Sequence, residues 1–332
     1  MNIYDVSKKA GVSIATVSRV LNGNPNVSEK TKDKVLSVMD ELGYTPNVFA
    51  RGLGLNTMHT IGILCSDSSD TFLANAVYYI EQALRKNGYE SFLCCTGYEL
   101  ENKKKYLHLL LSKRVDAVIL VGSHYLEANK SDNDYILSAA EKVPVMMING
   151  YLNHPNIFCT LCDDYQAVYD AVIRLVSHGK KNFLFLYRSD SSSSRSKIKG
   201  FKDGMTAAGL PFSEDTVCLC SNDIIATKDF LLSLYKEGHI FDAILTAEDV
   251  LAVGAVKFAG ASGIRIPEDL EIVGYNNSLL GICTEPELST LDNHVETLSI
   301  TTVNTLMRIL KGADVPNKTT ISNDFIARGT AY

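Results

Sequence analysis

The chain has 332 residues, 46% hydrophobic and 21% charged, the composition of an ordinary soluble globular protein with room for two or three domains. No apolar run approaches the ~18 residues of a membrane span and the N-terminus lacks the apolar core of a secretion signal, so a cytoplasmic protein with no membrane partner is expected. A net charge of −6 spread evenly would argue against nucleic acid, but residues 1–58 carry seven basic and five acidic side chains, net +2, which leaves −8 on residues 59–332. A mildly basic head on an acidic body suits a small DNA-binding module joined to a larger domain.

In the head, Ile3, Val6 and Ala10 share one face of a short amphipathic helix that Gly11 terminates, since glycine tolerates the left-handed C-cap conformation. Ser13 suits the N-cap of the next helix, 14–21, in which Val17, Val20 and Leu21 turn inward. A third helix starts after Ser28, aligns Val35, Val38, Met39 and Leu42 on one stripe, and stops at Gly43. Three short helices around a small core, the first two joined by a tight turn, present their second helix to a DNA major groove. The outward residues fit that role. Arg19 can bond bidentately to guanine, and Ile14 and Ala15 can press on thymine methyls. Ser13, Thr16, Ser18 and Asn22 are short donors suited to phosphates, which position without specifying.

Residues 46–55 follow as PNVFARGLGL. A two-turn helix here is marginal alone, and Gly52 and Gly54 each cost about 1 kcal/mol relative to Ala, so it requires outside contacts to form. From residue 60 onward, apolar runs at 61–65, 91–95, 117–121, 145–148, 157–161, 183–187, 217–220, 243–246 and 272–275 alternate with helical stretches. That is the pattern of parallel sheets covered on both faces. Two such sheets in series give two lobes with a cleft at the carboxyl ends of their strands. An enzyme is not expected: no phosphate loop, GxSxG elbow, HExxH or GxGxxG motif is present, and the seven histidines are scattered. The eight cysteines read as free thiols. Cys159-x-x-Cys162 and Cys218-x-Cys220 lack a histidine at ligand spacing and read as structural thiols, so neither metal nor cofactor is expected.

The segment YDVSKKAGVSIATVSRVLNG at 4–23 closely resembles the LacI/GalR family of bacterial transcriptional regulators, and the resemblance continues through 266–269 (IPED), 273–277 (VGYNN) and 286–290 (PELST). It implies a small all-α helix-turn-helix head plus an α/β two-lobed periplasmic-binding-protein-like effector domain of doubly wound parallel sheets. By this likeness residues 1–45 are the DNA-binding domain, 46–58 the hinge and 59–332 the effector and dimerisation domain. Its first lobe covers about 60–161 and 292–319, its second about 162–290 and 320–332. Ile14, Ala15 and Arg19 match the family's base-reading positions. In the hinge, Leu53 matches a leucine that wedges into the central base step of the minor groove, with Asn47, Ala50 and Arg51 beside it.

Carried over position by position, the effector residues are Asp70, Phe72, Ser123, His124, Asp164, Lys197, Glu248 and Asn276, with Asp163 beside Asp164. Lys197 stands where the family often has arginine, Glu248 where it often has asparagine, Asn276 where it usually has aspartate, and Ile224 where it often has an aromatic. Lysine does not reproduce a bidentate arginine. Residues 188–199 read as a serine-rich, basic strand-to-helix loop, either a candidate anion site or a solvated loop with no part in binding charge; Glu248 argues against a strongly anionic ligand unless Lys197 pairs with it, which leaves a neutral sugar as the leading reading. The helix at 73–87, with Tyr78 and Tyr79, is a candidate dimer surface, and the end at Tyr332 without a heptad tail favours a dimer. The expected partners are near-palindromic operator DNA, a second copy of the chain and a small sugar-like effector; the alternative to the effector is a phosphocarrier corepressor. Leu53→Ala should weaken operator binding far more than non-specific DNA binding in a salt-controlled binding titration. Equal losses on both would refute the wedge.

Overall fold

Residues 1–22, 24–44 and 57–332 are described in this computed structural model, and the helices of the head begin and end at their cap residues. Helix α1 (Ile3–Ala10) opens on a capping box: the Asn2 side chain accepts the amides of Tyr4 and Asp5 while the Asp5 carboxylate accepts the Asn2 amide. It ends at Gly11, where φ is 64°. Helix α2 (Ile14–Leu21) is capped by Ser13 and α3 (Glu29–Leu42) by Ser28, each hydroxyl accepting the amide three residues on. Val6, Ala10, Val17, Val20, Val35 and Val38 bury one another in a small core. The expected hinge helix, with Asn47, Ala50, Arg51 and Leu53, lies outside the described residues.

The rest of the chain runs β1 (Thr60–Cys65), α4 (Thr71–Lys86), β2 (Glu90–Cys95), α5 (Leu100–Ser112), β3 (Ala117–Val121), α6 (Asp134–Ala140), β4 (Val145–Ile148) and β5 (Ile157–Cys162). It continues through α7 (Asp164–Ser177), β6 (Phe183–Tyr187), α8 (Ser192–Ala207), β7 (Val217–Leu219), α9 (Ile224–Lys236), β8 (Ala243–Thr246), α10 (Asp249–Ser262) and β9 (Glu271–Tyr275). It closes with β10 (Ser289–Asp292), α11 (Val295–Leu310), β11 (Lys318–Ile321) and β12 (Asp324–Ile326).

One sheet has the order β11-β5-β4-β3-β1-β2 and the other β12-β10-β9-β8-β6-β7. Central pairs are parallel, with Ile61 opposite Ala117 and Ala243 opposite Glu271. Every residue of β1, β3, β4, β8 and β9 is buried, which explains their predominantly apolar character. Helices α4 and α11 contribute Ile80, Leu84, Leu298 and Leu306 to the core of the first lobe. The two faces of the second sheet bury separate clusters, one around Phe185 and Phe201, the other around Leu251 and Phe258. The chain passes between the sheets after β5, after β10 and between β11 and β12.

Two sequence expectations are corrected here. The apolar run at 91–95 is not a buried central strand: β2 lies at the sheet edge, with Phe92 and Leu93 exposed. The basic segment 188–199 is a loop only to Ser191, because the Ser191 hydroxyl accepts the Ser194 amide and caps α8 at once. Lys197 and Lys199 are therefore helical residues.

Helices α7 and α8 meet backbone to side-chain-free backbone. A Cβ on Gly200 would lie 2.3 Å from the Tyr165 carbonyl oxygen, so only glycine allows this approach. Gly260 of α10, in contrast, has open space around the same position. Gly200→Ala should lower unfolding stability by about 1–3 kcal/mol through overpacking, whereas Gly260→Ala should raise it by up to about 1 kcal/mol. Denaturant titration of both variants checks the pair; an unchanged midpoint for Gly200→Ala would refute the close approach.

Candidate functional site

On α2 the residues facing away from the small core are those expected to face DNA. Ser13, Ile14, Ala15 and Arg19 are exposed, and Thr16 and Ser18 half-buried. The Ser13 and Thr16 hydroxyls lie 2.9 Å apart at the start of the helix. Asn22 is less free than the sequence implied: it forms the C-cap, half-buried, with its Oδ1 buried and without a hydrogen-bond partner among the described residues.

The second candidate site lies between the two lobes, where strand ends and helix N-termini converge. Asp70, Phe72, Ser123, His124, Asp164, Lys197, Glu248 and Asn276 all line one cavity there. Asp70 caps α4 through Oδ1, which accepts the Leu73 amide, and its Oδ2 accepts from the Arg188 guanidinium across the cleft. Arg188 Nε donates to Glu248 Oε1 at 2.5 Å, so one guanidinium holds a carboxylate from each lobe. Two neighbouring bridges reinforce this contact. His124 Nε2 and Ser189 Oγ are 3.0 Å apart, and Ser192 Oγ donates to the carbonyls of Asn149 at 3.0 Å and Ser123 at 3.3 Å. Phe72 is half-buried, packing on the first-lobe core while lining the cleft.

Deeper in the second lobe several polar groups pair with one another, while Asn293 Oδ1 and Asn323 Oδ1 are buried without a hydrogen-bond partner among the described residues. The Tyr275 hydroxyl donates to Asp164 and accepts from Asn323 Nδ2 at 2.6 Å. Burial first, then the Asp164 charge, holds the Tyr275 phenol well above its usual range, so it stays a donor. Lys197 Nζ lies 3.4 Å from the centroid of the Tyr275 ring and donates to the Ala247 carbonyl at 3.0 Å. Asn276, at φ 102°, accepts from Asn293 Nδ2 at 2.7 Å.

The cation that meets Glu248 is thus Arg188, not Lys197, because Lys197 is committed to Tyr275 and a backbone carbonyl. The candidate anion site over 188–199 gains no support from the structure. Arg195 pairs with Asp190 at 2.7 Å and Lys199 with Asp203 at 2.6 Å, so each cation of the segment already has a partner. Burial pushes the Glu248 carboxyl up, and Arg188 opposes the shift. Asp163 caps α7 through the Gln166 amide, and Ile224 begins α9; neither lines the cavity. Sequence reasoning missed Asn149, Ser189, Tyr275 and Asn293 as lining residues. Their common signal is position, at strand ends and at a crossover. Among the described residues no helix is long and apolar enough to cross a membrane and no side-chain cluster could hold a metal ion. Cys159 and Cys162 are buried free thiols.

Residues 2–47 match the model of bacterial regulatory proteins of the lacI family, and residues 58–329 match that of periplasmic binding proteins and the sugar binding domain of the LacI family. The chain is 67% identical over 330 residues to an HTH-type transcriptional regulator of Lachnoclostridium phytofermentans, covering 99% of each. It is 32% identical to catabolite control protein A of Priestia megaterium, over 88% of this chain and 87% of that protein. A crystal structure of the lac repressor dimer bound to operator and the anti-inducer ONPF superposes with a TM-score of 0.89 at 26% identity, covering 99% of this chain and 98% of that one. The Lachnoclostridium relative and the lac repressor are transcriptional regulators, not enzymes.

The closed cleft carries a pH dependence. Burial, with Arg188 and Lys103 nearby, pushes the His124 imidazole from its ordinary 6.5 down to about 4. The unfolded chain then takes up the proton before the folded one does, so stability is full above 6.5 and is lost as pH falls from 6.5 toward about 4. The thermal midpoint should fall less steeply over this window in His124→Gln than in the parent. Equal slopes would refute the buried, neutral state.

Proposed function

The chain belongs to the LacI family of bacterial regulatory proteins, and we propose that it is a transcriptional repressor whose operator affinity is controlled by a neutral sugar held between its lobes. It acts as a homodimer on near-palindromic DNA, because a twofold protein reads two half-sites. Ile14, Ala15 and Arg19 read bases, Ser13, Thr16, Ser18 and Asn22 position on phosphates, and Asn47, Ala50, Arg51 and Leu53 act in the minor groove. Effector contacts to both lobes alter their relative position, and with it the pairing of the two hinges. Effector and operator affinities are then reciprocally coupled.

The observation that carries the choice of effector is charge. Asp70, Asp164 and Glu248 oppose Arg188 and Lys197 in the cavity lining, and both cations are already engaged. An anionic ligand would have to displace buried carboxylates from Arg188, which is costly. Sugar hydroxyls, which both donate and accept, can bond to Asp70, Ser123 and Asn276 without breaking these pairs, and Phe72 offers an aromatic face to a pyranose ring. The likeness to a catabolite control protein favours a second reading, in which a phosphocarrier protein replaces the free effector.

A thermal-unfolding panel of neutral sugars, sugar phosphates, purines and the purified carrier protein separates these. A ligand at ~100 times its Kd adds about 2.7 kcal/mol. A shift with a neutral sugar, weakened in Glu248→Gln, is expected. Stabilisation by sugar phosphates or purines would overturn the neutral reading, and stabilisation by carrier alone would establish the second.

A further inference from the structure

Where the chain enters its first sheet, side chains clasp the backbone. Asp116, the residue before β3, accepts two amides at once: Met58 N–H at 3.0 Å through Oδ1 and Thr60 N–H at 2.9 Å through Oδ2. Its own amide donates to the Thr60 carbonyl at 2.8 Å. The Thr60 hydroxyl donates to the Met58 carbonyl at 2.9 Å, and the Thr57 hydroxyl accepts the His59 amide at 3.2 Å. All three amides from 58 to 60 are therefore held by side chains. Two residues of the clasp, His59 at φ 48° and Arg114 at φ 58°, lie in the left-handed region. Residues other than glycine keep that conformation where their neighbours impose it.

Amide bonds to a carboxylate are charge-assisted and stronger than those between neutral groups. They fix the chain earlier than the core does. Met58 follows Leu53 by five residues, a span of at most about 18 Å. With the clasp open, the first residue fixed by the core is the fully buried Ile61, eight residues on, and the span grows to about 29 Å. Beyond the clasp the chain is rigid. β1 and β3 are parallel neighbours, Ile61 opposite Ala117, and every residue of both is buried. β3 ends at Val121, two residues before Ser123 of the cavity lining, and β1 ends at Cys65, five residues before Asp70 of the same lining. Each of these strands thus has the clasp at its start and cavity residues just past its end.

Resting on the minor-groove reading of residues 47–53 above, we propose that Asp116 is a positioning residue for operator binding. It fixes the point at which the first lobe holds the hinge, so a shift of the lobe moves the hinge instead of being absorbed as slack. Asp116 touches no DNA and acts only through the backbone of 58–60. Its loss frees those residues, and each subunit must order them again whenever the hinges pair. Ordering one backbone residue per subunit already corresponds to at least about ten-fold in affinity. Phosphate contacts of the head do not pass through the clasp, so sequence-independent binding is left as it was.

The test is a double-mutant cycle on the full-length protein, with Asp116→Ala, Leu53→Ala and the two combined. Two probes are titrated at one fixed salt concentration: a duplex that the parent selects from random-sequence DNA, and a non-specific duplex of the same length. Asp116→Ala is expected to weaken the selected duplex at least about ten-fold and the non-specific one by less than about two-fold. In the Leu53→Ala background the cost of Asp116→Ala should shrink to less than about three-fold, because both residues act through one hinge. Asp116→Asn should fall between parent and Ala, since its amide offers one acceptor oxygen and turns a donor toward the second N–H. Should Asp116→Ala not fold, Asp116→Asn carries the same cycle. Parent-like affinity for the selected duplex, equal losses on both duplexes, or an undiminished loss in the Leu53→Ala background overturns the positioning role and spares the minor-groove reading. A Leu53→Ala protein that itself loses both duplexes equally overturns that reading and the inference with it.

Discussion

Arg188 sits at the junction of the two lobes, with Asp70 from one and Glu248 from the other on its guanidinium. Burying a charge is costly unless it is paired and hydrogen-bonded, and leaving one partner behind costs more than never having buried the pair. This arrangement therefore constrains what surrounds it. His124 is kept neutral beside the same guanidinium, and the other cation of the cavity, Lys197, is tied to Tyr275 and the Ala247 carbonyl. With both of these cations engaged internally, the cleft lining presents hydrogen-bonding groups rather than a free positive charge.

The floor of the cleft connects directly to the segments that join the lobes. Asn276 and Asn277 follow β9 with φ of 102° and 48°, and His294 follows β10 with φ of 50°. Asparagine and histidine tolerate this left-handed region better than most residues, yet it is sparsely populated and persists where neighbours impose it. Those neighbours are visible: Asn293 donates to Asn276, Asn277 donates to Asp292 at 3.0 Å, and Arg328 donates to Asn277 at 2.6 Å. A group bonding to Asn276 thus acts within one hydrogen bond of the second crossover. Tyr275, bonded to Asp164 after the first crossover and to Asn323 at the third, links the same floor to the other two. These contacts connect the cleft lining to all three segments that join the lobes.

The head was legible in the sequence because everything that shapes it is local. Caps at Ser13 and Ser28, a left-handed glycine at 11 and six small apolar residues act over spans of a few residues. The central strands were legible for a similar reason, since burial on both faces demands an unbroken apolar run. β10, β11 and β12 were not read as strands. Their sequences, STLD, KTTI and DFI, are short, and the two edge strands among them are partly exposed, so pairing with a neighbour rather than composition makes them strands.

The spacing of apolar runs in the sequence was enough to indicate two lobes of parallel sheet, and its resemblance to the LacI/GalR family, taken position by position, singled out eight side chains that line one cavity. Tertiary structure alone decided which charge answers which. Arg188 and Asp70 are 118 residues apart, and Arg188 and Glu248 are 60 apart. No local rule ranks Arg188 over Lys197 as the partner of Glu248. The choice follows from strand order, which sets the ends of β6 and β8 side by side, and from the Tyr275 ring, which holds Lys197 away. Residues 70, 72, 248 and 276 likewise become neighbours only once both sheets have formed, because side-chain pairing across a cleft depends on positions in space that sequence separation does not encode.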